Sequence, residues 1–254
     1  MSPSTEQREN REFAAETKFI LTPAVAAQVR NWAHARLAPD PNAVINQGNN
    51  YQITSLYFDT DQFDVFHRRG SYRRAKYRIR RYDQSEIVFL ERKLKTRGLV
   101  TKRRSAIRLH ELSRLSEPER LNTWPGYWYW QRLRLRRFRP VCQISYERIA
   151  RVAMTDRGPI RLTLDEGLRS APVGDLGYVD DRWGLSLLEN RYILELKYFH
   201  EMPVLFKLLV EEFALNPQPV SKYRLAVTAL GLTSETTDRR NTSDYPDPVL
   251  CLIS

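Results

Sequence analysis

Residues 74–82 read RAKYRIRRY and residues 87–95 read IVFLERKLK, and the way these two stretches alternate decides the fold. In an extended strand, successive side chains point to opposite faces. Arg74, Lys76, Arg78 and Arg80 then share one face of the first stretch, with Ala75, Tyr77 and Ile79 on the other. In the second, Glu91, Lys93 and Lys95 lie opposite Val88, Leu90 and Leu94. Each strand is predicted to have one charged face and one apolar face.

The same pattern recurs outward along the chain. Residues 101–109 gather Lys102, Arg104 and Arg108. Residues 160–165 (IRLTLD) set Arg161, Thr163 and Asp165 against Ile160, Leu162 and Leu164, and residues 192–198 (YILELKY) set Glu195 and Lys197 against four apolar side chains. Near the start, Glu16 and Lys18 oppose Thr17 and Phe19. Glu-x-Lys therefore appears three times on charged faces, at Glu16/Lys18, Glu91/Lys93 and Glu195/Lys197. An open antiparallel sheet with one solvated face would alternate in the same way. The paired acids and bases, together with amphipathic segments able to cover the apolar faces, favour a closed antiparallel β-barrel with a charged lumen and flanking helices, an α+β fold.

Thr22 before Pro23 predicts a capped helix over 22–37, with Val25, Val29, Trp32, Ala33 and Leu37 on one side. Residues 39–50 and 167–184 read as loops, and 51–60 as a strand. Residues 111–130 begin as a helix that TWPGYWYW (123–130) would break. Trp124, Tyr127, Trp128, Tyr129 and Trp130 suit either base stacking or packing beneath a loop, and packing is the favoured reading. A helix over 202–215 would bury Leu205, Leu208, Leu209 and Phe213. Ser221 would cap a last helix ending near Leu230. The domain organisation expected is a flexible N-terminus at 1–12, one folded unit over 13–232, and a polar tail over 233–254.

The chain has 254 residues, 42% of them hydrophobic, enough for a substantial core. It carries 41 basic and 30 acidic side chains, a formal net charge of +11. Eight of the bases fall in 67–81, eight in 92–108 and five in RLRLRRFR at 132–139. No stretch approaches the roughly 18 apolar residues of a membrane-spanning helix. The first twenty residues lack an apolar signal-peptide centre. The two cysteines, Cys142 and Cys251, are too far apart for a disulfide framework or a thiolate zinc site, so a reducing, cytoplasmic location is expected. None of the ten glycines precedes a lysine, which excludes a P-loop, and the four histidines show no metal-ligand spacing. What remains is a dense Arg/Lys lining with a few carboxylates. Confined positive charge in excess of its acids is costly unless an anion binds, and arginine and lysine are the natural partners of phosphate.

ETKFIL (16–21), YQITSLYFDT (51–60), AKYRIRRY (75–82), FLERK (89–93), TKRR (101–104), ISYERIA (144–150), IRLTLD (160–165), LELKY (194–198) and VSKYRLA (220–226) occur in that order. Together they resemble the VTC domain, the polyphosphate polymerase branch of the triphosphate tunnel metalloenzymes. The resemblance spans residues 16–230. It implies a triphosphate tunnel in which the terminal phosphate of ATP is added to a growing inorganic polyphosphate chain with a divalent metal, manganese or magnesium. By motif, Arg78, Arg80 and Lys93 would be catalytic. Lys18, Lys76, Lys102, Tyr146, Arg148, Arg161, Ser221 and Lys222 would bind nucleotide triphosphate and product. Glu195, Glu91 and Glu16 would be metal ligands. The chain departs from the family at Ala14 and Pro219, where family members are often basic. A triphosphatase on the same tunnel and a non-catalytic polyanion-binding module are the alternatives. A nucleic-acid partner is disfavoured, because inward charge suits a narrow ligand better than a duplex.

Overall fold

The computed structural model describes residues 15–41, 50–96, 99–117 and 122–233. The expected flexible start and nearly all of the expected polar tail lie outside these residues.

The element order is β1 (Ala15–Leu21), α1 (Pro23–Arg36), β2 (Ala38–Pro39), β3 (Asn50–Asp59), β4 (Ala75–Tyr82), β5 (Ile87–Thr96), β6 (Leu99–Arg108), α2 (Tyr127–Arg136), β7 (Arg139–Thr155), β8 (Gly158–Pro172), β9 (Leu185–Ser186), β10 (Tyr192–Tyr198), α3 (Val204–Glu212) and α4 (Lys222–Ala229). The main strands form one antiparallel sheet in the order β1-β10-β8-β7-β3-β4-β5-β6, with β2 and β9 as short additions to β7 and β8. The expected backbone closure is not found. Among the described residues β1 and β6 end the sheet without pairing to each other. Curvature takes the place of closure. Six strand spacings separate β1 from β5, roughly 29 Å in a flat sheet, yet Lys93 Nζ on β5 lies 3.2 Å from Glu16 Oε2 on β1. The sheet curls until β1 meets β5, one strand short of the far end, through side chains.

Register places the charged residues on the inner face. Across β3, β4, β5 and β6, Tyr57, Arg78, Glu91 and Arg104 are successive partners, as are Lys76, Lys93 and Lys102 across the last three. Across β1, β10 and β8, Lys18, Glu195 and Thr163 align, and so do Glu16, Lys197 and Arg161. The outer face is apolar and is covered by helices. Phe19, Leu162, Leu164, Leu194 and Leu196 pack with Val29 and Trp32 of α1 and Phe206 and Leu209 of α3. Leu56, Phe58, Tyr77, Ile79, Val88 and Leu90 pack with Trp128, Tyr129 and Leu133 of α2.

Several local expectations hold. Thr22 caps α1 by accepting from Val25 N–H, and Ser221 caps α4 by accepting from Arg224 N–H. Others are corrected. The 167–184 loop is strand as far as Pro172, because β8 passes through a bulge beside Gly167, whose φ of +60° suits a residue without Cβ. TWPGYWYW starts a helix instead of breaking one: α2 begins at Tyr127, and Trp124, Trp128 and Tyr129 are core residues, as the packing reading requires. Leu208 is exposed, since only Phe206 and Leu209 of α3 are fully buried against the sheet. Of the 39–50 loop, Pro39 pairs with β7 and Asn50 opens β3, and 42–49 lie outside the described residues.

Candidate active site

The inner face is a charge lattice whose parts are not equally committed. Asp165, fully buried on β8, takes a bidentate contact from Arg148 on β7 (Nε–Oδ1 2.6 Å, Nη2–Oδ2 2.8 Å). Lys222 at the start of α4 adds a third, at 2.5 Å from Oδ2. Burial alone would raise the Asp165 pKa, but Arg148 and Lys222 outweigh it and hold the carboxyl down at about 2. This triad fastens α4 to the inner wall. Beside Lys222 on the same helix, Tyr223 donates to buried Asp59. Asp59 also accepts from the backbone N–H groups of Thr60, Val65 and Phe66.

A second group surrounds Glu91. Arg78 contacts it at 2.6 Å, Arg104 at 3.3 Å and Lys102 at 3.6 Å. These cations keep Glu91 ionised against the burial that opposes it. A third group joins Glu16 and Glu195 through shared lysines. Lys18 lies 2.7 Å from Glu16 and 3.6 Å from Glu195, and Lys197 lies 2.7 Å from Glu195 and 3.9 Å from Glu16. Lys18 Nζ also donates to the carbonyl of Val220 just before α4, at 3.3 Å.

Three further predicted side chains stand outside these groups. Arg80 is buried: Nε donates to Ser55 Oγ and Nη2 to Tyr146 Oη, both at 3.3 Å, and its guanidinium lies 5.9 Å from the Tyr82 ring centroid. Among the described residues no carboxylate lies within ion-pair distance of it. Lys76 donates to Ser221 Oγ at 3.0 Å. Its side chain reaches solvent, but the protein massed around it, with Lys18, Lys93 and Arg68 nearby, pushes its pKa down to about 8. Arg161 reaches Asp40 at 2.7 Å and Tyr51 Oη at 3.3 Å. Counting Lys18, Lys76, Arg78, Arg80, Lys93, Lys102, Arg104, Arg148, Arg161, Lys197 and Lys222, eleven cations share Glu16, Glu91, Asp165 and Glu195, with Asp40 engaged at one edge. The surplus is positive.

All the sequence-predicted site residues lie on this inner face or at the start of α4, but they are not one cluster. The three expected metal ligands are divided: Glu16 and Glu195 adjoin, while Glu91 is held among arginines. Among the described residues no three acidic, histidine or cysteine side chains group as a metal site. Sequence reasoning missed Asp165 and Tyr57 as site residues. It also missed Ser55, which faces inward with Tyr57 by strand alternation and is legible on that ground. Asp40 and Asp59 carry no local signal. A groove of about 680 Å³ bordered by Gln52, Tyr146, Glu166, Arg169, Asp181 and Arg182 opens beside the inner face. Most of its charges are engaged, with Arg182 on Asp180, Glu166 on Arg30, and Asp181 held by Gln52 and Gln143.

The family model of the VTC domain matches residues 13–231. No curated protein sequence matches. Among solved structures, a candidate adenylate cyclase from Bacillus halodurans is 15% identical, with a TM-score of 0.50 over 81% of this chain and 92% of that one. It shares the fold. A candidate adenylyl cyclase from Hippeastrum, described as having a dominant triphosphatase activity, is 17% identical, with a TM-score of 0.46 over 85% of this chain and 95% of that one. No described helix is long and apolar enough to cross a membrane.

Proposed function

As the chain belongs to the VTC domain family, matched over residues 13–231, we propose that it is a metal-dependent polyphosphate polymerase that extends an inorganic polyphosphate chain with the terminal phosphate of ATP. The observation that carries this reading is Arg80: a buried guanidinium whose hydrogen bonds go to hydroxyls and which no carboxylate contacts among the described residues. Glu91 favours its charge from a distance, but a phosphate oxygen supplies a direct partner with matching geometry.

In the reaction, a terminal oxygen of the polyphosphate chain attacks the γ-phosphorus of ATP. A new P–O bond forms, the bond from the γ-phosphorus to the β,γ-bridging oxygen breaks, and ADP leaves with that oxygen. The attacking oxygen is ionised at neutral pH, so no general base is required, and the protein's work is alignment and charge stabilisation. Arg80 would hold the transferring phosphoryl group, with Ser55 and Tyr146 fixing its plane. Lys76 and Ser221 would hold neighbouring phosphates. Lys102 and Arg104 would balance growing charge while Glu91 keeps Arg78 in place. Arg148 and Lys222, committed to Asp165, act by positioning α4.

Glu16 and Glu195 suit a divalent ion. Both are held ionised, the charge of each works against the other, and such an ion commonly takes one or two carboxylates and completes its shell with phosphate oxygens. Manganese or magnesium held there would neutralise phosphate oxygens. Lys18 and Lys197 would then turn from the carboxylates toward the ligand.

Phosphorus NMR of the protein with ATP and manganese, run beside Arg80→Gln, tests the reading. A growing internal-phosphate signal that the variant lacks supports it. Free orthophosphate without internal phosphate would replace polymerisation with hydrolysis on the same site, and an unchanged ATP spectrum would leave a binding module.

A further inference from the structure

One basic block is not absorbed by the inner face. RLRLRRFR ends α2 on the outer side of the sheet, and it meets the segment that leads into β4. Arg136 Nη1 donates to Ser71 Oγ at 2.7 Å, and its guanidinium lies 4.9 Å from the Tyr72 ring. Tyr72 in turn packs edge-on against Phe138, ring centroids 5.7 Å apart. Arg73 and Arg74 follow in the same 3₁₀ turn, Gly70–Arg74, and both are exposed. Arg134 and Arg137 are exposed on the α2 side. Among the described residues none of Arg68, Arg73, Arg74, Arg134, Arg136 and Arg137 has a carboxylate within ion-pair distance, whereas neighbouring Arg139 is satisfied by Asp61. A surface that leaves so many arginines unpaired is an electrostatic footprint for a polyanion.

This patch is continuous with the inner face through the chain itself. Arg74 is two residues from Lys76, and at about 3.3 Å per residue the alternating bases Lys76, Arg78 and Arg80 extend roughly 13 Å further inward. Arg68 is near enough to depress the pKa values of both Lys76 and Arg224. The aromatic side chains beside the patch are occupied in packing, since Tyr72 is half-buried against Phe138 and Trp130 stacks on Tyr127. Base stacking thus has no free platform there. A bare phosphate polymer fits what remains.

We propose that this external arginine track binds inorganic polyphosphate, holding the part of a long chain that lies outside the inner face at its Lys76 end. The inference rests on the proposed function for the identity of the polymer, but its own site is separate.

Binding of inorganic tripolyphosphate and of long-chain polyphosphate is measured by calorimetry on wild type, on Arg73→Gln/Arg74→Gln/Arg134→Gln, and on Arg80→Gln. The expected outcome is that the triple variant binds the long chain about tenfold more weakly, with its salt slope reduced by roughly 2. Its tripolyphosphate affinity stays within about twofold of wild type, which also shows that it folds. Equal long-chain binding by the triple variant and wild type would overturn the track. An equal loss for both ligands would place these arginines in the inner site and overturn it too. A single-stranded oligothymidylate bound as tightly as long-chain polyphosphate, and weakened to the same degree, would make the track a nucleic-acid surface instead. If Arg80→Gln leaves tripolyphosphate binding intact, the inner-site reading fails, while a selective loss in the triple variant still upholds the track.

Discussion

Lys93 and Glu16 lie 77 residues apart on strands that do not pair, yet their side chains meet at 3.2 Å. Their contact joins the first strand, β1, to the next-to-last, β5, of a curled sheet that no backbone hydrogen bond closes among the described residues. The pair is partly open to solvent, and such pairs contribute at most about 1 kcal/mol. Glu16→Gln removes this pair together with those to Lys18 and Lys197, and is therefore expected to cost no more than about 3 kcal/mol in all. It should also raise the manganese concentration needed for half-maximal turnover, because Glu16 is one of the two proposed ion ligands. Melting curves and a metal titration of activity check the two halves separately.

Arg80→Gln removes a buried cation that lacks a carboxylate partner. A charge-assisted hydrogen bond to phosphate contributes about 1.5–3 kcal/mol, so tripolyphosphate affinity should fall by roughly 10- to 100-fold. Stability without ligand should fall modestly, since Tyr146 and Glu91 favour the Arg80 charge and Glu91 loses one of the cations that keep it ionised. Calorimetry reads the first effect and denaturant melts the second. A variant that binds normally would remove Arg80 from the site.

Asp165→Asn leaves Arg148 and Lys222 without their counter-charge and should destabilise the fold by about 3–5 kcal/mol. The pH dependence follows the same triad. The Asp165 pKa is about 2, below its ordinary 3.8. Its stabilisation is then fully present above the ordinary value and is lost as pH falls through about 2. Acid unfolding followed by circular dichroism should show a loss in that window that the variant lacks.

Lys76, at about 8 instead of its ordinary 10.5, has the opposite sign. Its charged form is disfavoured in the folded state, a penalty present below about 8 that fades as pH rises toward the ordinary lysine value. A bound phosphate would favour the protonated amine, so binding should take up a proton near about pH 9. Tripolyphosphate affinity should decline as pH rises above about 8. In Lys76→Met that part of the pH dependence should vanish. Isothermal titration in buffers of different ionisation enthalpy measures the uptake directly.

Tyr223→Phe deletes the hydroxyl that Asp59 accepts from but keeps the ring stacked on Tyr57, centroids 5.5 Å apart. Losing one partner of a buried acceptor costs about 1–3 kcal/mol. Turnover should fall less than stability, because Ser221 and Lys222 keep their own contacts. Denaturant unfolding set beside steady-state rates tests this.

Much of the inner face is legible in the sequence alone. The period of two in 74–82, 87–95, 160–165 and 192–198 sorts Lys76, Arg78, Arg80, Glu91, Lys93, Arg161 and Glu195 to one side, because pleating leaves no other choice once the apolar side is buried. Closure is not legible in the same way, since alternation is identical in a barrel and in a curled open sheet. Pairing partners are hidden as well. Nothing local distinguishes Glu91, ringed by Arg78, Lys102 and Arg104, from Glu195, which shares lysines with Glu16. That difference depends on which strands lie side by side. Asp40 and Asp59 are silent because each acts from a loop or a strand end, where no periodicity marks direction. The course of β8 past Gly167 escapes a residue-by-residue reading because a bulge looks there like a turn.

The two bulges, between Tyr57 and Phe58 in the β3–β7 pairing and between Ser145 and Glu147 in the β7–β8 pairing, bear on how a protein of this design can change over generations. With side chains alternating strictly, gaining or losing one residue within β4 would turn Ala75, Tyr77 and Ile79 toward the ligand and drive Lys76, Arg78 and Arg80 into the apolar layer under α2. An indel there is close to lethal for the site unless a bulge absorbs it. New specificities in such a lineage must therefore arise by exchanging one inward side chain for another, or by remodelling loops. Strand lengths should be among its slowest-evolving features.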